Sequence, residues 1–482
     1  MKYPLNTFLA IVSMATLTHT AMAGPLMNSD LDRDGYDNYL DFDTDGDGLP
    51  DDFEKDNNFN FIGSRDGGRD ADFDGFTNAE EYRAVTDMFD PADNPATKTG
   101  PALQKLFPQM GNNAEYLGSS LAISGDTLVT GATFGEFENG GGGAGNVHIY
   151  TRQPDGLWQQ FQILYPERDA SGKDFGQDVD LAGDTLLVGA NHEDMGAEAS
   201  GAAYVYTLVG GEWQEQAKLS HANADDYDYF GYQVAMVGDQ ALISCPYCLD
   251  ARGAVYVYDR DGSNWTLSDV LTNCPVGDIC TFGISVSVDG DRAVITAPYY
   301  STAYPPGKAF VYERSNGVWQ QTAELVSNMT LEPSYYGSRA VLSGDTIIVS
   351  DFWEEWTGSG HGNAYEFVLE NGTWVEKSMF YAPDFGADCV GQGIALAGDK
   401  ALITGRLESP YRGAVMVLER VDGVWTETDR VFSDSTSFNT DLFGWTAALD
   451  KTGEQGMAGA VWDRDTTDYG GAVYVMDLSQ PE

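Results

Sequence analysis

Asp70, Asp72 and Asp74 stand at alternate positions of "DADFDGFTNAEE", followed by Gly75, with Asn78 and Glu81 at the ninth and twelfth places. Oxygen donors at places one, three, five, nine and twelve, a main-chain carbonyl at seven (Phe76) and a glycine at six for the sharp turn are what a twelve-residue calcium loop requires. Magnesium demands a smaller octahedron and keeps its waters, so a multidentate loop of this kind favours calcium. Two further sets share the spacing. "DTDGDGLPDDFE" offers Asp43, Asp45, Asp47, the Leu49 carbonyl, Asp51 and Glu54, and "DLDRDGYDNYLD" offers Asp30, Asp32, Asp34, the Tyr36 carbonyl, Asn38 and Asp41. Calcium is therefore the expected cofactor, held with the modest affinity of extracellular modules, on the order of 0.1–1 mM.

The loops lie in the most acidic part of an acidic chain. Its 482 residues carry 75 Asp plus Glu against 26 Lys plus Arg, a net charge of -49, and residues 24–99 alone hold 18 Asp and 3 Glu against 6 Lys plus Arg. So few apolar residues accompany them that the metal must supply the folding free energy, and disorder is expected without it. The tandem Asp loops, with "NAEEYRAVTDMFDPADNP" after them, resemble the thrombospondin type 3 repeats of secreted proteins. That resemblance implies a calcium-bound, core-poor module over residues 24–90, and residues 91–100 read as a linker. Nucleic acid and anionic membrane surfaces are excluded as partners by charge. Lys2, the mostly apolar stretch Phe8–Leu17 and Ala21-Met22-Ala23 have the layout of a signal peptide over residues 1–23, with a mature chain from Gly24. No later run approaches the ~20 apolar residues of a membrane-spanning helix. The expected location is secreted or extracellular, with the cell surface or periplasm as its variants, and a monomer is expected.

Other reactive side chains are sparse. His148, His192, His221 and His361 fall far apart in the sequence, in no hydrolase or metalloenzyme spacing, and no nucleophile elbow occurs. Cys245-Pro-Tyr-Cys248 and the pair Cys274 and Cys280 suit two disulfides in an oxidising compartment, within or between their loops, with a four-thiolate zinc site as the alternative. Cys389 has no evident partner.

The elements that must position these groups recur. The stretch "FGQDVDLAGDTLLVGA" (residues 175–190) has counterparts anchored at Gly118, Gly176, Gly231, Gly283, Gly337, Gly391 and Gly444. Phe or Tyr precedes five of these glycines, at Phe175, Phe230, Phe282, Tyr336 and Phe443, and a Gly-Asp pair follows seven residues later in six. Each repeat reads as four strands: an alternating strand, a Gly-Asp hairpin and its return, a "GAAYVY" strand, and a strand opened by Trp, as at Trp158, Trp213, Trp265, Trp319, Trp374 and Trp425. Four antiparallel strands at this period predict an all-β fold, a propeller of seven blades over residues 101–482. The seventh repeat lacks a fourth strand. "LQKLFP" (residues 103–108) matches "FQILYP" (residues 161–166), so an N-terminal strand is expected to complete blade seven.

These repeats resemble the FG-GAP repeat, related to the propeller of integrin alpha chains. The resemblance implies extracellular adhesion or ligand binding. Integrin-type repeats often hold calcium in an Asp-rich first hairpin, whereas here that hairpin is only Gly-Asp, so calcium is expected in the N-terminal loops rather than in the blades. The repeated residues serve packing, and function is expected in the variable loops of one face. Tyr299, Tyr300, Trp353, Trp356, Arg406, Tyr411, Arg412, Trp462 and Arg464 are the candidate rim of rings and guanidinium groups for a carbohydrate or protein ligand. Catalysis is not expected. The competing readings are a propeller polysaccharide lyase or hydrolase, for which His192, His361, Tyr300 and Arg406 are the candidates, and a purely structural surface protein.

Overall fold

Seven sheets of four antiparallel strands follow one another around a ring. The computed structural model describes residues 66–73, 75–79, 81, 89 and 91, and all of 102–479 except 109–114, 136–142, 155, 167–172, 299–306, 328–334, 352–361, 381–389, 406–412, 434–440 and 464–469. The two upstream Asp loops fall outside these residues. Blade two shows the pattern: Phe175–Ala182, Thr185–Ala190, Ala202–Val209 and Glu212–Leu219 pair in sequence order. Gly183, at the first central position of the hairpin, has φ +60° while Asp184 keeps a negative φ, the turn that suits two right-twisted strands.

The ring closes with a strand from the other end of the domain. Ala102–Leu106 pairs antiparallel with Ala472–Asp477, from Ala102 opposite Asp477 to Leu106 opposite Val473. Lys105 on this strand is buried, its Nζ 2.9 Å from Asp463 Oδ2 and 5.1 Å from the centroids of both Phe107 and Tyr474.

The core lies between blades. One apolar cluster joins Val147, Ile149 and Leu164 of blade one to Phe175, Val179 and Tyr204 of blade two. Equivalent clusters fill the remaining interfaces, and the one holding Leu106, Val473, Leu117 and Leu128 joins blade seven to blade one. Ala79, from the acidic segment, packs in the cluster between blades six and seven. The recurrent aromatic explains itself here: Phe175, Phe230, Phe282 and Tyr336 have no exposed surface.

The glycine after it is required twice over. All seven anchor glycines have φ between +85° and +99°. At Gly231 a Cβ would also lie 2.1 Å from the Ala202 carbonyl oxygen of the preceding blade.

Candidate functional site

The first strands of the seven blades surround a central cavity of about 590 Å3, lined by groups such as Asp178, Asp180, Gln233, Arg339, Gln392 and Lys451. Inner strands expose one edge, and the side chains of the preceding blade satisfy it. Asp178 Oδ2 accepts from Val234 N at 2.7 Å and Asp180 Oδ2 from Met236 N at 2.6 Å. Ser287 Oγ accepts from Leu342 N at 3.1 Å, Asp289 Oδ2 from Gly344 N at 2.7 Å and Ser343 Oγ from Gly398 N at 3.0 Å. The channel carboxylates are thus part of the repeat, stitching blade to blade. Burial pushes the Asp178 carboxyl up to about 7, against the opposing pull of the Val234 N–H and Arg339. Sequence reading passed over these groups, because each partner lies 55 or 56 residues away.

The strand order places the second-to-third-strand loops and the blade-to-blade loops on one face. On that face, where blades two and three meet, four rings converge. Tyr229 lies 4.8 Å from His192, 6.2 Å from Tyr227 and, edge to face, 5.3 Å from Tyr247. Carboxylates surround them: Asp174 Oδ2 is 2.7 Å from His192 Nδ1, and Asp226 Oδ1 accepts from Glu198 N at 3.0 Å. Hydrogen bonding to the Glu198 carboxylate pushes the Tyr227 hydroxyl up to about 12, and burial does the same to Tyr247. Both phenols therefore remain neutral hydroxyls at physiological pH. Tyr227 is 48% exposed.

The backbone marks the same place. Most non-glycine residues with positive φ recur from blade to blade, as Asp174, Tyr229, Thr281 and Leu442 do before the buried rings and Tyr116 does before Leu117. Among the described blades, Tyr227 (φ +66°), Leu249 (+61°) and Asp250 (+60°) do not recur, and all three lie in the loops of this junction. A sequence signal existed in "DDYDYFGY" and "CPYC", where Tyr227 and Tyr247 stand outside the repeated positions.

Of the residues expected at the rim, Trp462 is described, half-buried, with its main-chain N–H donating to Asp441 O at 2.9 Å. Tyr299, Tyr300, Trp353, Trp356, Arg406, Tyr411, Arg412 and Arg464 lie outside the described residues, as do His361 and Cys389. His148 is enclosed in blade one between Gln160 Oε1 at 3.0 Å and Asn146 Oδ1 at 2.9 Å, and burial lowers its pKa to about 4. The cysteines pair within their own loops, Cys245 with Cys248 and Cys274 with Cys280.

Of the third Asp loop, all ligand positions but Asp74 are described. Asp70 caps its own loop, Oδ1 accepting from Phe73 N at 2.6 Å and Oδ2 from Gly75 N at 2.9 Å, while Gly75 turns the chain at φ +106°. Asn78 is buried, its Oδ1 accepting from Ala71 N and its Nδ2 donating to Asp66 O, each at 2.9 Å. Glu81 has no exposed surface. Asp70, Asp72 and Glu81 are the carboxylates of this loop among the described residues, hard oxygen donors of the type that calcium takes.

Three stretches match the FG-GAP repeat. They are residues 102–150, 158–206 and 213–258. Each match starts in the outer strand of one blade and runs through the first three strands of the next, the same offset by which the N-terminal strand closes the ring. No curated protein matches the chain. Among solved structures, a putative 6-phosphogluconolactonase from Bacteroides uniformis is similar at 12% identity and TM-score 0.44, over 69% of this chain and 89% of that one. A second putative 6-phosphogluconolactonase, from Bacteroides fragilis, is similar at 10% identity and TM-score 0.43, over 66% and 87%.

Proposed function

We propose that the protein is a secreted or surface-associated binding module in which calcium orders the Asp-rich segment and the propeller offers its loop face to an extracellular carbohydrate or protein ligand, without catalysis. One observation carries the reading: the cluster of Tyr227, Tyr229, Tyr247 and His192 in non-repeated loops, edged by Asp174, Glu198 and Asp226. Ring faces stack on the apolar side of a pyranose or fill a protein pocket, and neighbouring carboxylates accept hydrogen bonds from hydroxyl or ammonium groups. The carboxylates and the net charge of -49 select against anionic ligands. A neutral glycan or a basic protein segment is therefore the ligand class favoured.

Replacing Tyr227 and His192 together by Ala tests this. Binding to the best ligand of a panel of neutral polysaccharides and basic extracellular proteins should weaken at least tenfold, about 1–2 kcal/mol for two contact side chains, with the melting temperature unchanged. Unchanged affinity would place the ligand elsewhere.

A further inference from the structure

The residue three places after the second strand recurs as a buried charge. In blade two it is Glu193, whose carboxylate holds Lys173 and Lys218 and accepts from Tyr204 Oη at 2.6 Å. In blade seven it is Asp463, paired with Lys105 beneath Tyr474. The lysine stands opposite the tyrosine on the outer strand in both blades: Lys218 opposite Tyr204, Lys105 opposite Tyr474. Blade three keeps the tyrosine, Tyr256, but places Val270 opposite it and Cys248 at the carboxylate position. The ammonium is gone, and four metal-ligating side chains occupy the space instead.

His221 and Asp228 enter from the connection that leads into blade three and meet Cys245 and Cys248. All four are buried, with one ligand atom of each within 4.8 Å of the others. His221 Nε2 lies 3.3 Å from Asp228 Oδ2 and 3.7 Å from Cys248 Sγ. Zinc bonds of about 2.3 Å to sulfur and about 2.0–2.1 Å to nitrogen or oxygen set tetrahedral edges of about 3.5 Å for S to N and about 3.3 Å for N to O. The two separations from His221 Nε2 lie close to those edges, and the two sulfurs, bonded to each other in the disulfide, move apart on reduction. The second ring nitrogen, His221 Nδ1, is 3.5 Å from Tyr256 Oη, and Asp225 N donates to Asp228 Oδ2 at 2.7 Å, contacts of the kind that orient ligands around a metal. The rings of Phe230 and Tyr256 enclose the imidazole at 5.5 and 5.2 Å.

We propose that the dithiol form of this cluster binds one zinc-class divalent cation through Cys245 Sγ, Cys248 Sγ, His221 Nε2 and Asp228 Oδ2, and that the disulfide is its metal-free form. The cation takes the place that a lysine ammonium holds in blades two and seven. Reduction of the disulfide by a dithiol reductant adds two electrons and two protons, giving two thiols while the reductant closes to its own disulfide. The cation then displaces both thiol protons and binds the two thiolates. Tyr247, between the two cysteines, is one of the four surface rings, so the metal centre would underpin that cluster.

The test uses the full chain produced in a reducing cytoplasm, kept anaerobic, stripped of metal and titrated with cobalt. Tetrahedral cobalt bound to thiolate gives intense visible ligand-field bands and a sulfur charge-transfer band, whereas cobalt in an oxygen-ligand calcium loop gives neither. One equivalent should produce both signals, zinc should displace them, and the oxidised protein should show none. Cys248→Ser should lower the charge-transfer intensity by about half, since Cys245 keeps one thiolate on the metal, the double variant Cys245→Ser with Cys248→Ser should abolish it, and His221→Ala should weaken zinc binding at least tenfold. The double variant Cys274→Ser with Cys280→Ser should leave the signals intact. Absence of the bands in the reduced wild type, whose folding near-ultraviolet circular dichroism checks, overturns the proposal. So does their persistence in the double variant Cys245→Ser with Cys248→Ser.

Discussion

Gly231 shows how much of this chain is fixed one residue at a time. With φ +87° and a carbonyl oxygen 2.1 Å from where its Cβ would sit, it has no tolerated substitute. Gly231→Ala should lower stability by at least about 2–3 kcal/mol in urea unfolding, since both the strained dihedral and a backbone shift are imposed. Sequence alone identified this glycine and its buried Phe230 neighbour as packing, because the pattern returned seven times. It gave no sign of what Asp178 does, because the Val234 N–H that Asp178 accepts belongs to the next blade. Burial raises the Asp178 carboxyl from 3.8 to about 7, so its protonated form favours the folded state. That contribution is complete below about pH 4 and is lost as pH rises toward 7. Asp178→Asn keeps an acceptor for Val234 N and removes the charge. At pH 8 the variant should be more stable than wild type by roughly 1 kcal/mol, less than the full shift implies because channel water screens the charge, and the gain should vanish at pH 4. Equal stability differences at the two pH values would contradict this role.

At the scale of elements, the closing strand carries the most consequence. Lys105 is the buried cation of that strand, and removing it strands Asp463 without its ammonium partner. Lys105→Met should cost about 3–5 kcal/mol, and most of that should return in the double variant with Asp463→Leu, because a buried pair is dear to break but replaceable as a unit. Thermal unfolding of the two variants measures it. The hairpins were legible from Gly-Asp flanked by alternating apolar residues, and the strand matching "FQILYP" was legible from its likeness to a repeat end. The ring cluster at blades two and three was not. Its members come from four loops, His192, Tyr227 and Tyr229, Tyr247, and Asp174, and loop residues carry no periodicity from which their convergence can be read. The same holds for His221 and Asp228 beside the CxxC, 17 to 27 residues away in sequence.

For the whole molecule, two modes of stabilisation sit side by side: a propeller held by apolar clusters between its blades, and an acidic segment with too few apolar residues for a core of its own. Removing calcium should therefore expose the acidic segment to proteolysis while leaving the propeller intact, and Asp70→Ala with Asp72→Ala should produce part of that sensitivity even with calcium present. Cleavage within the blades on chelation would refute the division. Composition made this contrast legible, since the Asp loops are a matter of spacing and the blades one of period; a ligand was not legible, because the loops of the proposed binding face are constrained by no repeat. The central claim, that the loop face binds without catalysis, is tested most directly by incubating the protein with calcium and a panel of neutral and acidic polysaccharides and following both protein and sugar by size-exclusion chromatography. Co-elution with a neutral glycan of unchanged length is the predicted result, and shortened chains would contradict it.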